Sequence, residues 1–148
     1  MMTPEMLILS EAQARSYEPT GVEVCISITH PKGALPRLSD RFRAILRLAF
    51  SDIAASSPYP WDVLFNEEHA RDVLEFLATW READCIVIHC MAGQGRSPAV
   101  AMGICELFGR SVESLERTYP LWNTWVRSEL VRVGKACGQP RGSDADDV

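Results

Sequence analysis

The stretch that most constrains this chain is Ile86-Val87-Ile88-His89-Cys90-Met91-Ala92-Gly93-Gln94-Gly95-Arg96-Ser97-Pro98-Ala99. A short, nearly continuous apolar run cannot face water on either side, so it predicts a central strand of a parallel sheet. Two glycines within three residues force a tight loop. Pro98 is tolerated only in the first turn of a helix, so a helix must start beside it. Strand, tight loop and helix start together build an anion site, because loop N–H groups point inward and the helix N-terminus adds partial positive charge.

The loop carries a cysteine at its first position and an arginine six residues on. A thiol beside helix-terminal N–H groups and a guanidinium is set up to act as a thiolate, hence as a nucleophile. The planar fork of Arg96 fits two oxygens of a phosphate. Gly93 and Gly95 allow backbone paths that a side chain would block. Ser97 places a hydroxyl where it can donate to the sulfur and support it as a leaving group.

The rest of the chain supplies a frame for that loop. Residues 6–9, 22–29, 44–50 and 85–89 read as strands, from their apolar and β-branched content. Ser10 with Gln13 reads as a capping box opening a short helix to about Tyr17. Asn66 reads as an N-cap, followed by Glu67 and Glu68 in the first turn. Ala70, Val73, Leu74, Leu77 and Trp80 then recur at helical spacing, ending near Arg81. The helix opened near Pro98 should end near Gly109, and Ser111 should cap a short helix through Arg117. Trp122, Trp125, Val126, Leu130 and Val133 mark a last helix, with Gly134 and Gly138 fraying it. Strands that alternate with helices predict an α/β domain: a central, mainly parallel sheet of four to five strands with helices on both faces. Ligands in such sheets bind beyond the carboxyl ends of the strands, where Cys90 falls.

With 148 residues, the simplest organisation is one domain, over residues 1–138. Residues 139–148 are polar with three aspartates and read as a disordered tail. The formal net charge of −5 disfavours nucleic acid as a partner of the surface as a whole. No apolar run reaches the roughly 18 residues of a membrane span, and the start of the chain lacks a secretory pattern. Five cysteines without regular spacing suggest no zinc site; Cys25, Cys85 and Cys105 read as buried free thiols. A reactive Cys90 needs a reducing compartment, which points to the cytoplasm. His30 and His69 read as surface residues. Residues 35–43 are basic, with Arg37, Arg41 and Arg43, and read as a solvated loop or as a rim attracting an anion. Residues 51–65 form a long loop, and loops of that length in compact domains are often functional.

His89-Cys90, five residues, then Arg96-Ser97 resembles the signature loop of the cysteine-based protein tyrosine phosphatases. The resemblance covers residues 22–120, with its specificity concentrated in residues 89–97. It implies a tyrosine-phosphatase-like fold and a two-step phosphomonoester hydrolase without metal or other cofactor. It makes Cys90 the nucleophile, with Met91, Ala92, Gly93, Gln94, Gly95 and Arg96 holding phosphate. Ser97 would assist release of the sulfur, and His89 would order the loop without acting as a base. A general acid must also protonate the leaving oxygen. The family takes an aspartate from an upstream loop, and two aspartates qualify. Asp52 follows a strand and is preferred, because Leu46-Arg47-Leu48-Ala49-Phe50-Ser51-Asp52-Ile53 resembles the strand-to-acid junction of small dual-specificity and predicted bacterial tyrosine phosphatases. Asp62, in Pro60-Trp61-Asp62, is the competitor, although the family order is Trp-Pro-Asp. Tyr59 or Trp61 could wall the site or pack internally. The expected partner is a phosphorylated protein or peptide, with phosphotyrosine favoured. The rivals are a nucleic-acid 5′-phosphatase, an inositol-phosphate phosphatase, a phosphate-binding pseudophosphatase, and a sulfur-transfer or arsenate-reducing enzyme.

Overall fold

A computed structural model describes residues 4–137. In chain order the elements are β1 (Glu5–Ser10), α1 (Glu11–Ser16), β2 (Glu23–Thr29), β3 (Ala44–Ala49), α2 (Glu67–Thr79), β4 (Cys85–Cys90), α3 (Arg96–Leu107), α4 (Glu113–Thr118) and α5 (Thr124–Ala136). The four strands form one sheet in the order β1-β4-β2-β3, and every pairing is parallel. This is the expected α/β architecture. Residues 139–148, expected to form a tail, lie outside the described residues.

Register decides which side chains face which layer, because successive strand residues alternate between faces. Val24, Ile26 and Ile28 of β2 line up with Ile86 and Ile88 of β4 on one face. That face carries the large core, which α2, α3 and α5 complete with Val73, Leu77, Val100, Ile104, Val126 and Leu130. The opposite face is thinner. Cys25, Val87 and Phe42 are buried there, and Tyr17 at the end of α1 packs on it with Leu38 and Ile45. Helices therefore cover both faces unequally. The same alternation sends Cys90 toward the helical layer and His89 to the other side.

Local signals explain most helix ends. Ser10 accepts from Gln13 N while the Gln13 side chain accepts from Ser10 N, so the capping box forms as read from the sequence. At α2 the box closes with a histidine: Asn66 Oδ1 accepts from Glu68 N and His69 N, and His69 Nδ1 accepts from Asn66 N at 3.0 Å. The ring of His69 then packs against Phe50 and Phe65, with centroids 5.3 and 5.5 Å away. His69 is thus half-buried where a surface residue was expected, while His30 is exposed. At α4, Val112 occupies the N-cap position without a side-chain bond, and Ser111, one residue earlier, accepts from Glu113 N through its hydroxyl at 3.4 Å. Gly134 does not fray α5. It lies buried inside the helix, where a Cβ would sit 2.5 Å from Leu107 Cδ1, and Gly103 of α3 likewise makes room for Leu130. Two bare helix surfaces thus let α3 and α5 pack closely under the site.

The unequal faces set an expected ranking. Ile26→Ala removes a fully buried side chain from the large core and should cost about 2–5 kcal/mol. Ile45→Ala removes a half-buried one from the thin face and should cost clearly less. Urea midpoints at unchanged m-value measure both.

Candidate active site

The carboxyl ends of all four strands leave the sheet on one edge, and the loop from Cys90 to Arg96 lies there. Its carbonyls are tied away from its centre. Met91 O accepts from Glu11 N of α1 at 3.1 Å, and Gly95 O accepts from Asn123 N before α5 at 3.1 Å. His89 Nδ1 contacts Cys90 O at 3.3 Å. A peptide whose carbonyl points out presents its N–H inward, so these ties turn the loop's donors toward a common centre. Gly93 adopts φ +72°, and a Cβ there would meet Leu9 C and Ser10 N at 2.9 Å. Only glycine combines that conformation with that closeness to β1.

The tautomer of His89 follows from its neighbours. Arg47, Ser27 and His89 sit in register across β3, β2 and β4 on the thin face. Arg47 donates from Nη1 to Ser27 Oγ at 3.3 Å and to Pro36 O at 3.1 Å. Ser27 Oγ lies 2.7 Å from His89 Nε2. Cys90 O can only accept, so the neutral ring carries its proton on Nδ1, and Nε2 accepts from the Ser27 hydroxyl, whose oxygen in turn accepts from Arg47. His89 is fully buried. Loss of hydration holds its pKa below the ordinary histidine value, against the opposing bond to Cys90 O. The same cause lowers His69.

Three groups approach the Cys90 sulfur: Ser97 Oγ at 3.2 Å, Gly93 N at 3.3 Å and Ser97 N at 3.4 Å. Such donors solvate a thiolate in place of water. The other thiols differ. Burial pushes Cys25 up to about 12 and Cys85 up to about 11, and raises Cys105. Cys25 and Cys105 are small core residues, Cys85 at the start of β4 is half-buried rather than buried as expected, and all three are free. Cys105 lies about 12 Å along α3 from Ser97, by helical rise, so a disulfide with Cys90 is out of reach.

Arg96 is 7% exposed. Its Nη1 donates to Phe50 O at 2.8 Å, which fixes the guanidinium beside the end of β3. Its Nε has no partner among the described residues and is shut off from solvent. An unpaired buried donor costs roughly 1–3 kcal/mol, which an anion in the loop would recover. No side chain caps α3, so its leading N–H groups face the same centre.

Asp52 reaches this loop. A Cβ on Gly95 would stand 2.7 Å from Asp52 Oδ2, so the missing side chain leaves room for the carboxylate. Asn123 Nδ2 donates to Asp52 Oδ1 at 2.8 Å and to Ile53 O at 3.0 Å. Asp62 is engaged elsewhere: it accepts from Ser57 Oγ at 2.6 Å within its own turn. Tyr59 and Trp61 do not pack internally. They stack on each other, centroids 4.9 Å apart, and remain 54% and 48% exposed. Arg37 borders a surface hollow with Arg15, Glu18 and Asp40, which no residue of the loop lines. Among the described residues, no group of three or more His, Cys, Asp or Glu is placed to hold a metal ion. The residue that sequence reasoning missed is Asn123, whose only visible signal was a good N-cap before a helix.

No family model matches the chain, and no curated protein matches it. Solved structures do. Human DUSP28 superposes with a TM-score of 0.58 at 18% identity, over 91% of this chain and 94% of that one. The human tyrosine phosphatase-like serine/threonine/tyrosine-interacting protein gives 0.55 at 17% identity, over 79% of both chains. PTPMT1 in complex with PI(5)P gives 0.55 at 15% identity, again over 79% of both. The fold is that of the cysteine-based tyrosine and dual-specificity phosphatases.

The buried histidines make stability depend on pH. Their folded-state pKa values lie below the unfolded value of about 6.5, so the unfolded chain binds more protons below that pH. Their contribution is complete above about pH 6.5 and lost as pH falls through the folded values. Urea midpoints should therefore drop between about pH 7.5 and 5.5. His69→Gln keeps the capping box and should flatten that slope.

Proposed function

We propose that the chain is a phosphomonoester hydrolase of the tyrosine or dual-specificity type, working through a phospho-cysteine on Cys90. One observation carries the reading: a buried thiol ringed by donors shares its loop with a buried guanidinium that keeps an unpaired N–H. That combination suits a dianion at the loop centre, with a nucleophile directly beneath it.

The steps use side chains and water throughout. Met91, Ala92, Gly93, Gln94 and Gly95 present backbone N–H groups to the phosphate, and Arg96 binds two of its oxygens. The Cys90 thiolate forms the S–P bond as the P–O bond to the leaving group breaks, and Asp52 gives its proton to the departing oxygen. Water then attacks phosphorus while the Asp52 carboxylate takes its proton. The S–P bond breaks, the electron pair returns to sulfur, and the Ser97 hydroxyl supports the thiolate. Inorganic phosphate leaves. Preorganised donors on the equatorial oxygens are usually the largest contribution in such sites.

The loop's interior side chains carry no positive charge, and Met91 is 63% exposed at its mouth. With the exposed Tyr59–Trp61 pair on the segment that carries Asp52, this favours an aromatic phosphate on a protein over a multiply charged head group. One neighbour is named as a phosphatase-like interacting protein, so the fold alone fits a binding module too. The presence together of Cys90, Arg96 and Asp52 favours turnover. A nucleophilic cysteine further requires a reducing compartment, for which the cytoplasm is the natural candidate.

Hydrolysis of p-nitrophenyl phosphate with EDTA present tests the reading. Cys90→Ser should abolish turnover, Asp52→Ala should lower kcat by about 10²–10⁴-fold, and Asp62→Ala should stay near wild type. Phosphotyrosine peptides should outperform phosphoserine peptides and phosphoinositides. An inactive wild type that still binds tungstate would replace the hydrolase with a binding module.

A further inference from the structure

Asn123 is 7% exposed and every polar group it carries is used. Its N–H donates to Gly95 O, tying it to the phosphate loop. Its Oδ1 accepts from Val126 N at 3.0 Å, capping α5. Its Nδ2 donates to Asp52 Oδ1 and Ile53 O. The amide orientation is dictated by its partners, since Val126 N–H can only donate and Ile53 C=O can only accept. The NH₂ group therefore has to face Asp52. Two residues on, Trp125 Nε1 donates to Phe65 O at 2.7 Å. The start of α5 thus grips both ends of the loop that carries the acid.

We infer that Asn123 is the positioning residue of the general acid: it fixes the Asp52 carboxyl over the phosphate loop and selects which of its oxygens carries the proton. The inference rests on the hydrolase reading above. An NH₂ group cannot accept a proton, so a protonated Asp52 must leave Oδ1 bare toward Asn123 and carry its hydrogen on Oδ2. Oδ2 is the oxygen against Gly95, on the loop's side. Asn123 touches no reacting atom in this scheme. It acts through Asp52, while its backbone bond to Gly95 holds acid and phosphate loop in one frame.

Two variants separate this role from helix capping. Asn123→Ser keeps a good N-cap but cannot reach Asp52. Asn123→Asp keeps shape and cap but replaces the donor by an acceptor. Both are compared with Asp52→Asn and with Asp52→Asn/Asn123→Ser, on phenyl phosphate and on difluoro-methylumbelliferyl phosphate. The first leaving group needs a proton and the second hardly does. Both Asn123 variants should lose about tenfold in kcat/KM, which reports the transfer to Cys90 alone, on phenyl phosphate, the scale of one hydrogen bond, and keep a near-wild-type kcat/KM on the fluorinated ester. Tungstate inhibition should not move, and Asn123→Ser should cost nothing further once Asp52 is asparagine. Equal losses on both esters, weakened tungstate inhibition, a full extra loss in the Asp52→Asn background, or no loss at all would overturn the inference while leaving the hydrolase intact. A wild type inactive on both esters would remove the hydrolase reading and this role together.

Discussion

The candidate site depends on the outward pull on the carbonyls of the Cys90–Arg96 loop. A seven-residue turn from Cys90 to Arg96 has no reason of its own to aim its N–H groups at one point. It does so because Glu11 N holds Met91 O, Asn123 N holds Gly95 O and the His89 ring meets Cys90 O. Those partners come from α1, the segment before α5, and β4. The parallel sheet is what brings them together, since it delivers every strand's carboxyl end to the same edge. Behind the His89 tie stands a second row, in which Arg47 and Ser27 hold the ring from two neighbouring strands. A short loop needs most of a domain because its conformation is imposed from outside.

Charge is handled by the same economy. Arg96 is buried, yet among the described residues its guanidinium meets one acceptor, Phe50 O. A fully paired arginine would be a structural strut. One with a spare buried N–H is poised for an anion. The thiols divide in a similar way. Cys25, Cys85 and Cys105 lose hydration without gaining donors, and burial makes them harder to ionise. Cys90, buried like Cys25 and Cys105, meets two N–H groups and a hydroxyl.

How much of this could be read in the sequence depends on how local the cause is. The apolar run into β4, the glycines of the loop, Pro98 at the helix start and the Ser10–Gln13 box all express short-range physics, and all appear in the structure where they were placed. Asp52 was separable from Asp62 only by resemblance. The structure adds the space above Gly95 that admits one and the Ser57 bond that occupies the other. Asn123 was not singled out in the sequence at all, because its partner Asp52 lies 71 residues away. Gly134 misled for a related reason. A glycine near a helix end is ordinarily a breaker, and only the leucine across the interface reveals that it is a packing surface. His69 read as a surface residue because its capping bond and its aromatic neighbours come from different segments.

The central claim is that phosphate transfers to the Cys90 sulfur at the centre of this loop. Rapid acid quench of Asp52→Ala during turnover of a good leaving-group ester, followed by peptide mass spectrometry, tests it most directly. The acid-free variant should form the intermediate from an activated ester yet lack the base to hydrolyse it quickly. The account predicts a phosphate adduct on the peptide containing Cys90, absent in Asp52→Ala/Cys90→Ser. Turnover without any adduct on that peptide, or an adduct on another residue, would contradict it.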